Sequence, residues 1–168
     1  MDKTSLRNEK LLLRRALQPS DASKLSQRIS HNLKDAVNWS NVRSLHIYTS
    51  HTALNEVDTA VITRMISEEY PNIHITKGSP SRHALIPTEL YDVIIAPLIV
   101  FDNSCHRIGF GGGWYDRFLS MQPKAQKIGL AYSLQHVKYI PAERHDEALD
   151  MVITEKRIYM PNKNALRE

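Results

Sequence analysis

Residues 91–97 read YDVIIAP. No polar residue interrupts the central VIIA, so a strand here would meet water on neither face. Such strands belong to parallel sheets covered by helices on both sides. Pro97 ends the run, having no N–H to give a ladder. Residues 42–49 (VRSLHIYT) carry alternating β-formers and read as a strand, as do 127–132 (KIGLAY), 151–154 (MVIT) and a short piece at 73–76. Helical periods lie between them. One covers residues 4–18 and is stopped by Pro19. A second is capped by Ser20, with Asp21 in its first turn and Ala22, Leu25, Ile29, Leu33 and Val37 on one apolar face. A third covers 58–69, with Val61, Ile62, Met65 and Ile66 in period and Pro71 beyond it. Residues 77–90 hold Gly78, Pro80 and Pro87 and read as a loop. Strands that alternate with helices predict an α/β class with a mainly parallel open sheet. No repeat or composition break divides the chain, so residues 1–168 are read as one domain.

Composition narrows the function. The net charge of +4 attracts phosphate without saying whose. No apolar run has the length of a membrane span. The opening MDKTSLRNEK has charge but no apolar core of a secretory signal. Cys105 is the single cysteine, which excludes an internal disulfide and a cysteine-rich zinc site. The expectation is a cytoplasmic protein with no membrane partner. An RNA-binding module would need aromatics interleaved with Lys and Arg on one surface. With 7% aromatic residues, several of them in strands, no nucleic-acid partner is expected.

After the buried strand comes RIGFGGGWYDRFL, residues 107–119. In an open α/β sheet, ligands bind beyond the carboxyl ends of the strands. A bare backbone that leads into a helix at residues 114–121 suits a phosphate. Neither the dinucleotide pattern GxGxxG nor the Walker pattern GxxxxGK[ST] fits. The glycines alone leave a phosphate cradle and a structural turn equally open. Asp116, just inside the helix, suits either the helix dipole or Mg²⁺ on a bound nucleotide. Asp150 is a second available acid, with Asp146 its competitor; His145-Asp146 by itself is too few ligands for a metal site. Arg7, Lys10 and Arg14 form a basic stripe on the first helix, open to a solvated face or to a grip on polyphosphate.

The glycine stretch resembles the signature of the 5-formyltetrahydrofolate cyclo-ligases. The similarity extends upstream through YDVIIAPLIVFD and downstream through KIGLAYSLQ and IPAERHDEALDMVITE. KLLLR is similar to a family Lys-xxx-Arg, and LNEVDT to its Glu-x-Asp-Thr segment. The resemblance implies a three-layer α/β/α sandwich and an enzyme that converts 5-formyltetrahydrofolate, with or without a polyglutamate tail, to 5,10-methenyltetrahydrofolate, using ATP and Mg²⁺; a monomer is expected. Position by position, it implies Lys10 and Arg14 on the ATP phosphates. The loop of Arg107, Ile108, Gly109, Phe110, Gly111, Gly112, Gly113, Trp114 and Tyr115 would wrap the nucleotide. Arg107 and Tyr115 are then the catalytic pair, Glu56 and Trp114 the folate contacts, and Asp116 and Asp150 the Mg²⁺ ligands.

Two departures from the family pattern stand out. Trp114 replaces the usual tyrosine or phenylalanine. The segment YPNIHITKGSPSRHALIPTEL, from 70 to 90, is shorter than is common in the family, where it helps form the folate pocket. The shortening motivates a second reading, a non-catalytic member that binds nucleotide or folate.

Overall fold

The structure is a computed structural model that describes residues 1–78, 80–81 and 83–161. Ser79 and Arg82 of the shortened segment lie outside the described residues. Asp2 caps the first helix, α1 (Lys3–Arg15), by accepting the Ser5 N–H at 2.8 Å. The helix ends at Arg15, short of the expected residue 18. The second helix, α2 (Pro19–Ala36), starts earlier than expected. Gln18, not Ser20, is its N-cap and Pro19 its first residue, where a missing N–H costs nothing. Then follow β1 (Ser44–Tyr48), α3 (Thr59–Glu69, capped by Asp58) and β2 (His74–Gly78). Next come β3 (Val93–Ala96), β4 (Val100–Phe101), β5 (Arg107–Ile108) and α4 (Trp114–Ser120). The chain continues with β6 (Gln126–Leu130), β7 (Met151–Ile153) and β8 (Ile158–Tyr159).

Six strands form one sheet in the order β2-β1-β3-β6-β7-β8. All neighbours are parallel except β7 and β8. Val93 and Ile95 point to the side of α2 and α3, where they join Ile29, Leu33, Ile62 and Ile66. Ile94 and Ala96 point to the other side, where they meet Trp114, Phe118 and Leu119 of α4. That two-sided burial is why β3 reads as an unbroken apolar run. The result is a three-layer α/β/α arrangement. Gly129 in β6 marks a tight spot, since a Cβ there would lie 2.6 Å from a Leu98 methyl and 2.7 Å from one of Leu149.

The chain leaves β1 to one side to form β2 and returns on the other to form β3. The sheet order therefore reverses between β1 and β3, and a crevice opens off their carboxyl ends. The β4–β5 hairpin, which sequence patterning did not anticipate, stands beside that crevice. The buried Asp102 carboxylate fixes its turn, accepting the N–H groups of Ser104, His106 and Ile140. Among the described residues, no helix is long and apolar enough to cross a membrane.

Candidate active site

A cavity of about 630 Å³ occupies the crevice. β1 and the turn after it deliver Tyr48, Thr49, His51 and Glu56. β3 delivers Pro97, β5 delivers Arg107, and the glycine loop and the start of α4 supply residues 108–116. The loop turns where the chain must adopt positive φ, at Gly111 (98°) and Gly113 (67°), conformations that strain any L side chain. Two arginines pin it. Arg7 Nε donates to the Gly109 carbonyl at 2.7 Å, and Arg117 Nη1 donates to that of Gly112 at 3.3 Å.

Opposite charges pair along the cavity walls. Arg107 is buried and donates from Nη2 to Asp116 Oδ1 at 3.0 Å, while its Nε has no partner. Lys3 reaches in from the start of α1, with Nζ 2.5 Å from Asp146 Oδ2 and 2.9 Å from Glu143 Oε1. Burial alone would raise the Asp146 carboxyl, but the Glu143 N–H and Lys3 outweigh it and hold it below the ordinary aspartate value. Tyr115 lines the cavity with its guanidinium neighbour Arg107 6.0 Å from its ring. Burial raises its phenol above the ordinary value, so the hydroxyl keeps its proton. Glu56 is 7% exposed, and its Oε2 accepts the His51 N–H at 2.7 Å.

Of the residues singled out from sequence, Glu56, Arg107, Ile108, Gly109, Phe110, Gly111, Gly112, Gly113, Trp114, Tyr115 and Asp116 all line this cavity. Three do not. Lys10 sits beside Glu9 at 3.6 Å, away from the lining. Arg14 is 1% exposed and does not line the cavity. It donates to the carbonyls of Leu54 (2.9 Å) and Leu98 (3.1 Å) and lies 3.8 Å from Glu56. Asp150 stands at the wrong end of the sheet: it accepts the Lys127 N–H at 2.8 Å where β6 and β7 begin. The aspartate that shares the cavity with Asp116 is Asp146, weighed above as the competitor of Asp150, and the cations that share it with Arg107 are Lys3 and Arg7. Arg7 belongs to the basic stripe named above; Lys3 is not singled out there, yet with Arg7 it has the same Lys-xxx-Arg spacing as Lys10 and Arg14, so the signal that could have found it is present in the sequence.

The donor set suits a metal carried by phosphate. Among the described residues, no group of three or more His, Cys, Asp or Glu side chains is placed to hold a metal. Asp116 and Asp146 each gather their protein donors on one oxygen, Oδ1 and Oδ2 respectively. Mg²⁺ commonly takes one or two carboxylates and completes its shell with phosphate oxygens and water, and this arrangement leaves it that choice.

The shortened segment still encloses space. A second cavity of about 600 Å³ adjoins the first, lined by His46, Thr76, Ile86, Glu89 and Tyr91 and sharing Pro80 and Trp114 with it. Trp114, the departure from the family pattern, uses its indole N–H to bind the Ala84 carbonyl at 3.0 Å. It thereby ties the segment to the wall between the two cavities.

The 5-formyltetrahydrofolate cyclo-ligase family model matches residues 73–155. The 5-formyltetrahydrofolate cyclo-ligase of Mycoplasma genitalium is 31% identical over 164 residues, covering 91% of this chain and 98% of that protein. The Escherichia coli K12 enzyme of the same name is 38% identical over 77 residues, 45% of this chain and 42% of its own. Among solved structures, a 5,10-methenyltetrahydrofolate synthetase from Mycoplasma pneumoniae superposes with a TM-score of 0.77 at 26% identity, covering 92% of this chain and 99% of that one. The synthetase of Aquifex aeolicus has the same fold, with a TM-score of 0.79 at 23% identity over 97% and 94% of the two chains. With a full-length relative at this identity, a signature loop lining the main cavity and the fold in common, the chain belongs to the 5-formyltetrahydrofolate cyclo-ligase family.

Proposed function

We propose that this chain closes 5-formyltetrahydrofolate to 5,10-methenyltetrahydrofolate at the expense of ATP. The observation that carries the reading is the cavity itself. Three cations (Lys3, Arg7 and Arg107) and a bare glycine loop line the space that also holds the carboxylates of Glu56, Asp116 and Asp146.

The reaction needs both sets. A formamide oxygen leaves poorly, so it must first accept the γ-phosphoryl group of ATP. The N10 nitrogen then attacks the activated formyl carbon, phosphate departs with that oxygen, and N10 loses its proton. Phosphoryl transfer is mostly positioning and charge neutralisation. Arg107 is fixed by Asp116 and lines the cavity, so its guanidinium would set positive charge beside a phosphoryl group bound there. Lys3 and Arg7 bring further positive charge from α1. Asp116 and Asp146 would hold Mg²⁺, which supplies charge neutralisation on the phosphate oxygens when bound. Glu56 offers a carboxyl group to the N–H groups of the pterin and lies 3.8 Å from buried Arg14. Tyr115 offers a neutral hydroxyl.

The test is direct. Purified protein is mixed with 5-formyltetrahydrofolate, ATP and Mg²⁺, and the near-ultraviolet absorbance of the methenyl product is followed, with no-ATP and Asp116→Asn controls. ATP-dependent product supports the reading. ATP binding without product would mark a member that has lost the reaction, and neither would reduce the glycine loop to a structural turn.

A further inference from the structure

His46, in the middle of β1, is a polar side chain that the chemistry above does not use. It is 4% exposed and enclosed by rings. Phe118 lies 4.9 Å away between centroids, Tyr91 5.5 Å, Tyr115 6.0 Å and Trp114 6.4 Å. Its two nitrogens meet different surroundings. Nε2 lies 3.3 Å from the Tyr115 hydroxyl, while Nδ1 is buried with no hydrogen-bond partner.

We propose that His46 is a positioning residue, held as the neutral Nε2–H tautomer, which donates to Tyr115 Oη and so leaves the Tyr115 hydroxyl hydrogen for an oxygen of the phosphoryl group in transfer. One proton has two possible homes on the neutral ring. On Nδ1 it would be a buried N–H without an acceptor, a costly state that proteins rarely keep. On Nε2 it is satisfied by the phenol oxygen, and Nδ1 keeps only an unused lone pair. The doubly protonated ring is disfavoured as well, since burial brings its pKa down to about 4. With Nε2 donating, the phenol oxygen is an acceptor toward β1 and its hydrogen is free. Tyr115 lines the main cavity with Arg107 and Glu56, and it is toward that cavity that the freed hydrogen would turn. Had the tautomer been reversed, the hydroxyl would spend its hydrogen on the imidazole and offer the substrate nothing but a lone pair.

The identity of the acceptor rests on the cyclo-ligase reading; the tautomer does not. The first measurement therefore needs no turnover. Long-range ¹H–¹⁵N correlation spectra of the full chain, labelled at histidine and assigned with a His46→Gln variant, report each ring nitrogen separately. The expected pattern is a protonated Nε2 and a bare Nδ1, unchanged from pH 8 to pH 6. A protonated Nδ1, or titration of His46 in that range, overturns the proposal even if the enzyme is fully active.

Kinetics supply the second arm. Tyr115→Phe and His46→Leu should each lower kcat about tenfold, as for one lost hydrogen bond, with KM for ATP little changed. The double variant should be no worse than either single one. Gln can present an N–H where His has Nε2, so His46→Gln should recover most of the rate, and His46→Asn, which mimics Nδ1, should not. Additive losses, or equal rates in the Gln and Asn variants, refute the coupling to Tyr115. Absence of any wild-type turnover counts against the cyclo-ligase reading instead, and the spectra still decide the tautomer.

Discussion

Arg14 offers a sharp test of how α1 meets the rest of the molecule. Family resemblance assigns it to ATP phosphates, whereas the structure buries it. Its side chain is 2% exposed and that of Glu56 3%, with Nη2 and Oε1 3.8 Å apart. Two further donors go to the carbonyls of Leu54 and Leu98. Arg14→Met keeps most of the volume and removes the charge. Breaking a buried pair by deleting one partner costs about 3–5 kcal/mol, because the remaining charge is stranded. With an urea m-value of about 2 kcal/mol/M, the unfolding midpoint should fall by about 2 M. Glu56→Gln in the Arg14→Met background should recover at least about 1 kcal/mol, since the stranded carboxylate is then gone. Ligand linkage separates the two assignments. Saturating ATP and Mg²⁺ at about 100 times Kd should stabilise wild type and Arg14→Met alike, by about 2.7 kcal/mol. An unchanged midpoint together with loss of the ATP-dependent increment would refute the burial account and return Arg14 to the phosphates.

Asp116→Asn should abolish turnover with the fold intact, whereas Asp150→Ala should leave the Mg²⁺ activation curve unmoved and cost about 1 kcal/mol for the lost bond to Lys127 N–H; a shifted Mg²⁺ curve in the Asp150 variant would contradict its position at the amino ends of the strands. Lys3→Ala should raise the apparent KM for ATP about tenfold or more, and Lys10→Ala much less, so equal effects would mean that α1 sits differently over the glycine loop. His46 links stability to pH. Burial holds its pKa at about 4 against an ordinary 6.5, so the folded state binds fewer protons than the unfolded one. Its stabilising effect is complete above pH 6.5 and is lost as pH falls toward 4, by up to about 3 kcal/mol. The difference between wild-type and His46→Leu urea midpoints should shrink or reverse over that window, and a constant difference would show that His46 does not titrate there.

Much of the fold is legible in the sequence because burial on two faces leaves a direct trace. VIIA has no polar residue to put in water, and it becomes the strand with core on both sides. The α2 face of Ala22, Ile29, Leu33 and Val37 is likewise buried as its period demands. Elements of two residues leave no such trace. β4, β5 and β8 are too short to show a period, and they exist because a turn held by Asp102 and an antiparallel partner give them hydrogen bonds. Gln18 caps α2 without a side-chain bond, so nothing at that position announces a helix start.

The candidate site is legible in its residue types but not in its placement along one helix. Lys3, Arg7, Lys10 and Arg14 are spaced by four, three and four residues, so all four fall on a single stripe of α1. Periodicity puts the four cations on one face but is blind to position along the axis. At about 1.5 Å of rise per residue, Lys10 lies about 10 Å beyond Lys3, farther than its side chain can compensate. Packing makes the choice. Leu6 enters a cluster with Ile99, Val100 and Ile108 beside the β4–β5 hairpin, which sets the first two turns of α1 over the glycine loop. The last turn is then carried under the 52–54 turn and the exit of β3, where a long cation can remain only if it finds carbonyls and a carboxylate. Arg14 finds Leu54, Leu98 and Glu56. The same basic stripe thus reaches two places, the cavity at one end and the buried carbonyls beside Glu56 at the other, and the hairpin against which Leu6 packs is the element the sequence pattern could not show.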